Sequence, residues 1–314
     1  MRYSVLTNIH LSPTILELLA PRCNVTVWRE TDTDPARLAA TEGMFVYGHP
    51  KIDGAVMDRM PKLRVISNFG VGVDHINLHD AVARGIAVGN TPRLVDGATA
   101  DMTFALLMAL ARNVVGGDRY ARSPAFTVYD PSLLHGSEVH GATIGIVGMG
   151  NIGQQVARRA SGFDMRILYT NRRPNPAAET ALGATYASLP DLLAQSDYVT
   201  LNLPLTPETR HIIGREQLRR MKPTAFLINV ARGGVVDHDA LVEALRAGRI
   251  AGAALDVTEP EPLPRDHPLL TMDNVVLAPH LGSATVQTRY HMAKRAVDNL
   301  LAGLAGETLL NRVA

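Results

Sequence analysis

The stretch "TIGIVGMGNIGQQVARRASGFDMRILYTNRRP", residues 143–174, decides the fold. Residues 143–147 are an apolar run of strand character, 151–161 read as a helix, and 165–170 are a second apolar strand. Between the first strand and the helix stand Gly148, Gly150 and Gly153, in the G-x-G-x-x-G spacing of a dinucleotide-binding turn. The spacing alone is a weak signal. Its setting, strand before, helix after and a second strand at the expected distance, makes it specific. Gly148 permits the tight turn, Gly150 lets the backbone approach a pyrophosphate, and Gly153 lets the helix pack close to the strand. Asn151 and Ile152 open the helix, so their N–H groups face the phosphates, where the helix dipole favours negative charge.

Such a turn usually has an acidic residue about 20 positions on, which bonds the ribose hydroxyls of NAD. Here that place holds Asn171, followed by Arg172 and Arg173. Asn171 removes the charge that would repel a 2′-phosphate, and the two guanidiniums offer charge-assisted donors for it. The expected cofactor is therefore NADP(H), with NAD(H) possible. The plain alternative is a pair of solvated loop arginines.

The alternation continues on both sides. Upstream, "YSVLT", "NVTVW", "GMFVYG", "LRVISNFG" and "GIAVGN" read as strands. Helical stretches lie between them, among them "SPTILELLA", with Ser12 as N-cap and Pro13 at its first position, 54–60 and 77–84. Strands alternating with helices imply βαβ units and a parallel sheet. Residues 96–113 form a helix that Asp96 can cap. It is apolar almost all round from Met102 to Ala111, which predicts burial on every face. Downstream, "DYVTLNLP", "AFLINVA", "IAGAALDV" and "NVVLAP" are later strands, and Asp237 caps a helix that Gly248 closes. A helix over 284–302 comes too late to extend the second run and is expected to cross back onto the first.

The fold class that follows is α/β, with two doubly wound parallel-sheet domains and a cleft between them. Residues 1–96, completed by a C-terminal helix over 286–314, make the first, and 97–285 make the dinucleotide-binding one.

Composition narrows the classes. The 314 residues are 46% hydrophobic and 19% charged, as in a globular protein with a real core, and the formal net charge is +1. No global field points to nucleic acid or an anionic membrane. Cys23 is the single cysteine, so no internal disulfide forms and a cysteine-based structural zinc site is not expected. Asn8, His10 and Pro13 interrupt the N-terminal apolar run, and no segment has the roughly 18 apolar residues of a membrane span. A cytoplasmic protein is expected. No H-E-x-x-H or G-x-S-x-G pattern occurs, so no metal site and no serine-nucleophile turn are expected.

The segments "LRVISNFGVGVDHINL", "GIAVGNTP", "GATIGIVGMGNIG", "LNLPLTPETRHII", "LINVARGGVVD", "AALDVTEPEP" and "VVLAPHLGSAT" follow one another in an order that resembles the D-isomer-specific 2-hydroxyacid dehydrogenase family over nearly the whole chain. "LDVTEPEPLPRDHPLL" and the "YTNRRP" loop are most similar to its NADP-preferring glyoxylate/hydroxypyruvate reductase branch. The resemblance implies a flavodoxin-like substrate domain beside a Rossmann cofactor domain. It implies a catalytic Arg232, Glu261 (rather than Glu259) and His280. It further implies substrate contacts at Val71 and Gly72 of the "GVGV" loop, at Arg232 and at Ser283. Cofactor contacts are implied at Pro204, Val230, Ala231, Asp256 and His280, besides those of the glycine turn, and a homodimer through helix 97–112. The implied partner is a small 2-keto or 2-hydroxy acid.

The chemistry is consistent with those residue types. Reducing a 2-keto acid develops charge on the carbonyl oxygen, to which a protonated histidine can donate. A carboxylate beside the ring favours its charged form and fixes its tautomer. A guanidinium suits an anionic substrate. Glycines 70, 72, 233 and 234 are expected to let backbone approach a small ligand. His49, His75, His79, His211 and His267 are given no catalytic part. Relatives often carry tryptophan over 122–140, where Phe126 and Tyr129 are the only aromatics here, so substrate size stays open, as it does at Asn68 and Phe69. Two other readings stay open: a phosphite dehydrogenase, which uses the same three residue types, and a cofactor-sensing corepressor. A formate dehydrogenase would carry glutamine in place of Glu261.

Overall fold

The structure is a computed structural model that describes residues 2–29 and 34–314. The chain divides into two compact units, Met1–Val95 with Thr285–Ala314, and Asp96–Ala284.

In the first unit the chain runs β1 (Tyr3–Thr7), α1 (Pro13–Leu19), β2 (Cys23–Val27), α2 (Pro35–Ala40), β3 (Gly43–Val46), α3 (Gly54–Asp58), β4 (Val65–Asn68), α4 (Leu78–Ala83) and β5 (Ala87–Gly89). The strands form one parallel sheet in the order β2-β1-β3-β4-β5, the flavodoxin-like order. β3 and β4 are buried along their whole length, so β3 reads as an unbroken apolar run, while in β4 the polar Ser67 and Asn68 are buried as well. Ser12 occupies the N-cap position of α1, but its side chain makes no capping bond.

The second unit begins with α5 (Asp96–Ala111) and α6 (Val114–Arg122). A seven-stranded parallel sheet follows: β6 (Thr143–Val147), α7 (Asn151–Ser161), β7 (Arg166–Thr170), α8 (Pro176–Leu182), β8 (Thr185–Tyr186), α9 (Leu189–Gln195), β9 (Tyr198–Leu201), α10 (Arg215–Arg220), β10 (Phe226–Asn229), α11 (His238–Arg246), β11 (Gly252–Leu255) and β12 (Val275–Leu277). The strand order β12-β11-β10-β9-β6-β7-β8 is the Rossmann order with a strand added, and it reverses direction at β6 and β9. Both faces are covered. Leu192, Leu218, Leu241 and Leu245 fill one core, while Phe104, Leu107, Val156 and Ala160 fill the other. The Asp237 side chain accepts from Ala240 N (3.0 Å) at the start of α11.

Helix α5 departs from its reading. Thr99, Ala100, Thr103, Phe104, Leu106, Leu107, Leu110 and Ala111 are buried, but Ala105 is exposed and Met102, Met108 and Ala109 are only half-buried. The uniform apolarity hid a face that the unit leaves uncovered. Asp96 is the first helical residue, not the cap before it, and its carboxylate sits where the helix dipole favours it. No single helix among the described residues is long and apolar enough to cross a membrane.

The last helix, α12 (Val286–Ala305), belongs to the first unit and lies on β3 and β4. Its contact is intimate: a Cβ on Gly303 would come within 2.5 Å of Val65. The buried Ser67 hydroxyl donates to Ala296 O (2.7 Å). The chain then closes the open edge of the sheet, with Val313 N donating to Val88 O (2.8 Å) and Val88 N to Ala314 O (3.0 Å).

Candidate active site at the carboxyl edge of the second sheet

Because every strand pair in the second sheet is parallel, the turns that follow β6, β10, β11 and β12 all emerge at one edge. The turn after β6 is the glycine turn. Gly148 has φ +102°, and a Cβ there would lie 2.6 Å from Asn202 O. A Cβ on Gly153 would lie 2.1 Å from Gly148 O, so that residue seats α7 against its strand. A Cβ on Gly150 would meet nothing within 4 Å. The turn is therefore packed on two sides and open on the third, where Gly150, Asn151 and Ile152 begin α7 and their N–H groups have no acceptor a turn earlier. That geometry fits a pyrophosphate.

Asn171, directly after β7, accepts from Met149 N through Oδ1 (2.8 Å), so it braces the turn itself. Arg172 and Arg173 are exposed beside it. Glu208 lies within electrostatic reach of Arg172. Its carboxyl is held below the usual range chiefly by the Thr206 hydroxyl, with Arg172 the smallest contribution.

Arg232 stands in the turn after β10. The buried Asn229 at the end of β10 shapes that turn: its Oδ1 accepts from Ala231 N (3.0 Å), and its Nδ2 donates to Arg232 O (2.9 Å). Val230 is buried and Ala231 half-buried directly after the strand. Pro204 is exposed after β9, its carbonyl accepting from the Thr209 hydroxyl (2.7 Å).

The glycines after Arg232 also answer to contacts within the chain. A Cβ on Gly233 would lie 2.0 Å from Thr258 C, and one on Gly234 would lie 2.9 Å from Glu259 Oε1. Gly233 lets the Arg232 turn close on the 258–259 backbone, and Gly234 lets it close on the Glu259 carboxylate.

His280 follows β12 with φ +59°, a left-handed backbone uncommon for a residue with a Cβ. Asp256, buried after β11, holds it there. Its main-chain O accepts from His280 N (2.9 Å), Oδ1 from Leu281 N (2.6 Å) and Oδ2 from Gly282 N (2.7 Å). Ser283 lies half-buried in the same turn, which Ala284 N closes onto Leu281 O (2.8 Å). The ring Nδ1 of His280 is 2.7 Å from Glu261 Oε1. Glu259, the other acid of the loop, is engaged elsewhere: it takes two bonds from Arg210 (2.8 and 3.0 Å), which hold its carboxyl below the usual range. His211 Nε2 is 3.7 Å from Glu259, and His238 is buried, with desolvation lowering its pKa.

The structure therefore brings Arg232, Asp256 and His280 to the ends of three neighbouring strands, with Glu261 on His280. Val71 and Gly72 lie in the first unit, in the loop after β4, where Val71 is exposed. Sequence reasoning missed Asn229. Its only signal was a polar residue closing the apolar run "FLIN".

Known proteins resemble this chain in sequence and in fold. Residues 104–282 match the family model described as "D-isomer specific 2-hydroxyacid dehydrogenase, NAD binding domain". A glyoxylate reductase of Pyrococcus furiosus is 45% identical over 309 residues, 95% of this chain and 92% of that protein. One of Korarchaeum cryptofilum is 52% identical over 263 residues, 83% of this chain and 79% of that protein. Among solved structures, the NADPH-dependent glyoxylate/hydroxypyruvate reductase of Sinorhizobium meliloti, in complex with NADP and malonate, superposes with a TM-score of 0.90. It is 34% identical, and the match covers 100% of this chain and 97% of that one.

Proposed function

Because this chain belongs to the D-isomer-specific 2-hydroxyacid dehydrogenases and is an NAD(P)-dependent oxidoreductase, we propose that it reduces glyoxylate, and hydroxypyruvate as a second small 2-keto acid, with NADP(H) preferred over NAD(H). The observation that carries this reading is the His280–Glu261 pair at 2.7 Å, on the sheet edge that also bears the Arg232 turn and the open glycine turn.

His280 is the general acid. Glu261 at Nδ1 fixes the orientation and tautomer of the ring, and the proton at Nε2 goes to the keto oxygen as charge develops there. In the oxidative direction the neutral ring takes that proton back. The Arg232 guanidinium orients the carboxylate and the keto oxygen. The N–H groups of Val71 and Gly72 bind the carboxylate, and Ser283 is a further substrate contact. Asp256, Val230 and Ala231 would hold the nicotinamide amide, and Pro204 would line the cofactor site. Gly148, Gly150, Asn151, Ile152 and Gly153 would hold the pyrophosphate, and Asn171, Arg172 and Arg173 the 2′-phosphate end. The dinucleotide, when bound, supplies or accepts the hydride.

Pairing with a second copy through helix 97–112 completes this reading. The uncovered face of α5, Met102, Ala105 and Ala109, supports it, as do the exposed Phe126, Val128 and Tyr129 of the following segment.

The test is a panel of 2-keto acids assayed against NADPH and NADH, with phosphite as a competing donor. Glyoxylate turnover with NADPH is expected. Phosphite-dependent cofactor reduction without keto-acid turnover would replace the proposal. His280→Ala is expected to lower kcat by about a hundred- to ten-thousand-fold with NADPH affinity within about twofold; undiminished turnover would require another proton donor.

A further inference from the structure

We infer that Asn68 and Asn90 are positioning residues that turn the 70–73 loop into an oxyanion cradle; this rests on the carboxylate role proposed for that loop and names what builds it. Asn68 ends β4, and its Nδ2 donates to Gly70 O (3.2 Å) and Gly72 O (2.9 Å). Asn90, just after β5, donates from Nδ2 to Val71 O (2.8 Å). Thr91 N adds a second donor to Gly70 O (3.0 Å). Three successive carbonyls are thus held by amide donors of the first unit.

In a trans peptide the C=O of one residue and the N–H of the next point in opposite directions. Fixing the carbonyls of residues 70, 71 and 72 therefore aims the N–H groups of Val71, Gly72 and Val73 away from the asparagines. Among the described residues none of these three N–H groups has an acceptor. Val71 is exposed, with Gly72 and Val73 half-buried. Three adjacent unpaired N–H groups with their carbonyls turned away offer consecutive donors to an anion.

The residue type is specified by this task. An aspartate at 68 or 90 would face carbonyl oxygens with its own oxygens and add a negative charge behind the loop. The side-chain orientation is settled by the same logic, because flipping either amide would set oxygen against oxygen. Asn68 is 1% exposed, and its Oδ1 is buried with no donor among the described residues.

Asn90 is itself held from behind. Its main-chain O accepts from Asn299 Nδ2 (2.9 Å), and its N donates to Asn311 O (3.1 Å). The fully buried Asn299 of α12 also accepts from Asn311 N (3.0 Å). A chain of amides therefore runs from the C-terminal segment to the loop.

The test pairs kinetics with a readout that needs no turnover. In ¹⁵N-labelled wild type, oxamate is expected to shift the Val71, Gly72 and Val73 amide resonances. Asn68→Ala and Asn90→Ala are expected to abolish those shifts and to raise KM for glyoxylate about tenfold or more, with KM for NADPH within about twofold. Should either alanine variant fail to fold, Asn90→Asp and Asn68→Asp keep the volume and are expected to give the same loss. Asn90→Gln, which retains the donor, is expected to recover part of it. Unmoved loop amides in the wild type, or variants whose glyoxylate KM is unchanged, would overturn the inference. A wild type that shows the oxamate shifts but reduces no 2-keto acid would instead overturn the proposed function and leave the cradle standing.

Discussion

Two glycine-bearing turns leave the same sheet edge, one after β6 and one after β10, and glycine serves opposite ends in them. At Gly150 a Cβ would project into open space, whereas at Gly233 it would run into the carbonyl carbon of Thr258 at 2.0 Å. The first turn is open on its outer side. The second has no such opening at Gly233, because it brings the Arg232 turn against the loop that carries Glu259 and Glu261. One glycine leaves its side of the turn open and the other makes room for the protein's own backbone.

The sharpest way to break this contrast is a pair of alanine substitutions. Gly233→Ala forces backbone to move, and overpacking of this kind costs about 3 kcal/mol or more, roughly 10 °C in Tm for a unit of this size. Gly150→Ala is expected to leave Tm within about 2 °C and instead weaken NADPH binding, because an added methyl group occupies space meant for the pyrophosphate. Differential scanning fluorimetry with and without NADPH reads both. Equal Tm losses in the two variants would erase the distinction.

A smaller effect sharpens the cofactor side. Arg172→Ala combined with Arg173→Ala is expected to raise KM for NADPH by about ten- to a hundredfold, the worth of one or two charge-assisted bonds, while KM for NADH moves little. Equal changes for both cofactors would assign the pair to solvent.

The smallest effect lies on the loop beside Gly233. Arg210 depresses the Glu259 pKa, so the folded state gains from the ionised carboxylate. That gain is present above the unfolded value of about 4.3 and fades as pH falls through the lower folded value. Both side chains are substantially exposed, so it is worth under about 1 kcal/mol. Urea midpoints of wild type and Glu259→Gln are expected to differ slightly at pH 7 and to converge near pH 3. A gap that widens on acidification would contradict the pairing.

Much of this was legible beforehand. The strand–turn–helix–strand order over 143–170 was readable because its signals are local: an apolar run, three glycines and a helical period. The α/β class followed from alternation alone. β8, two residues long, gave no periodicity to read. The outer face of α5 was illegible for the opposite reason. Met102, Ala105, Met108 and Ala109 are as apolar as the buried positions, so polarity could not mark which side the unit covers. Glu261 was chosen over Glu259 by resemblance; the geometry adds that Glu259 is bonded to Arg210 and Glu261 to His280.

The sequence by itself determined which segments become strands and helices, and where the sharp turns fall, because backbone propensity and hydrophobic period act over a few neighbouring residues. What each turn packs against follows from the assembled fold. Whether a glycine faces a void or a carbonyl, whether a carboxylate meets a guanidinium or an imidazole, and whether a buried amide holds a loop's carbonyls all depend on atoms brought together from distant parts of the chain. Those contacts are fixed by packing, and no local pattern encodes them.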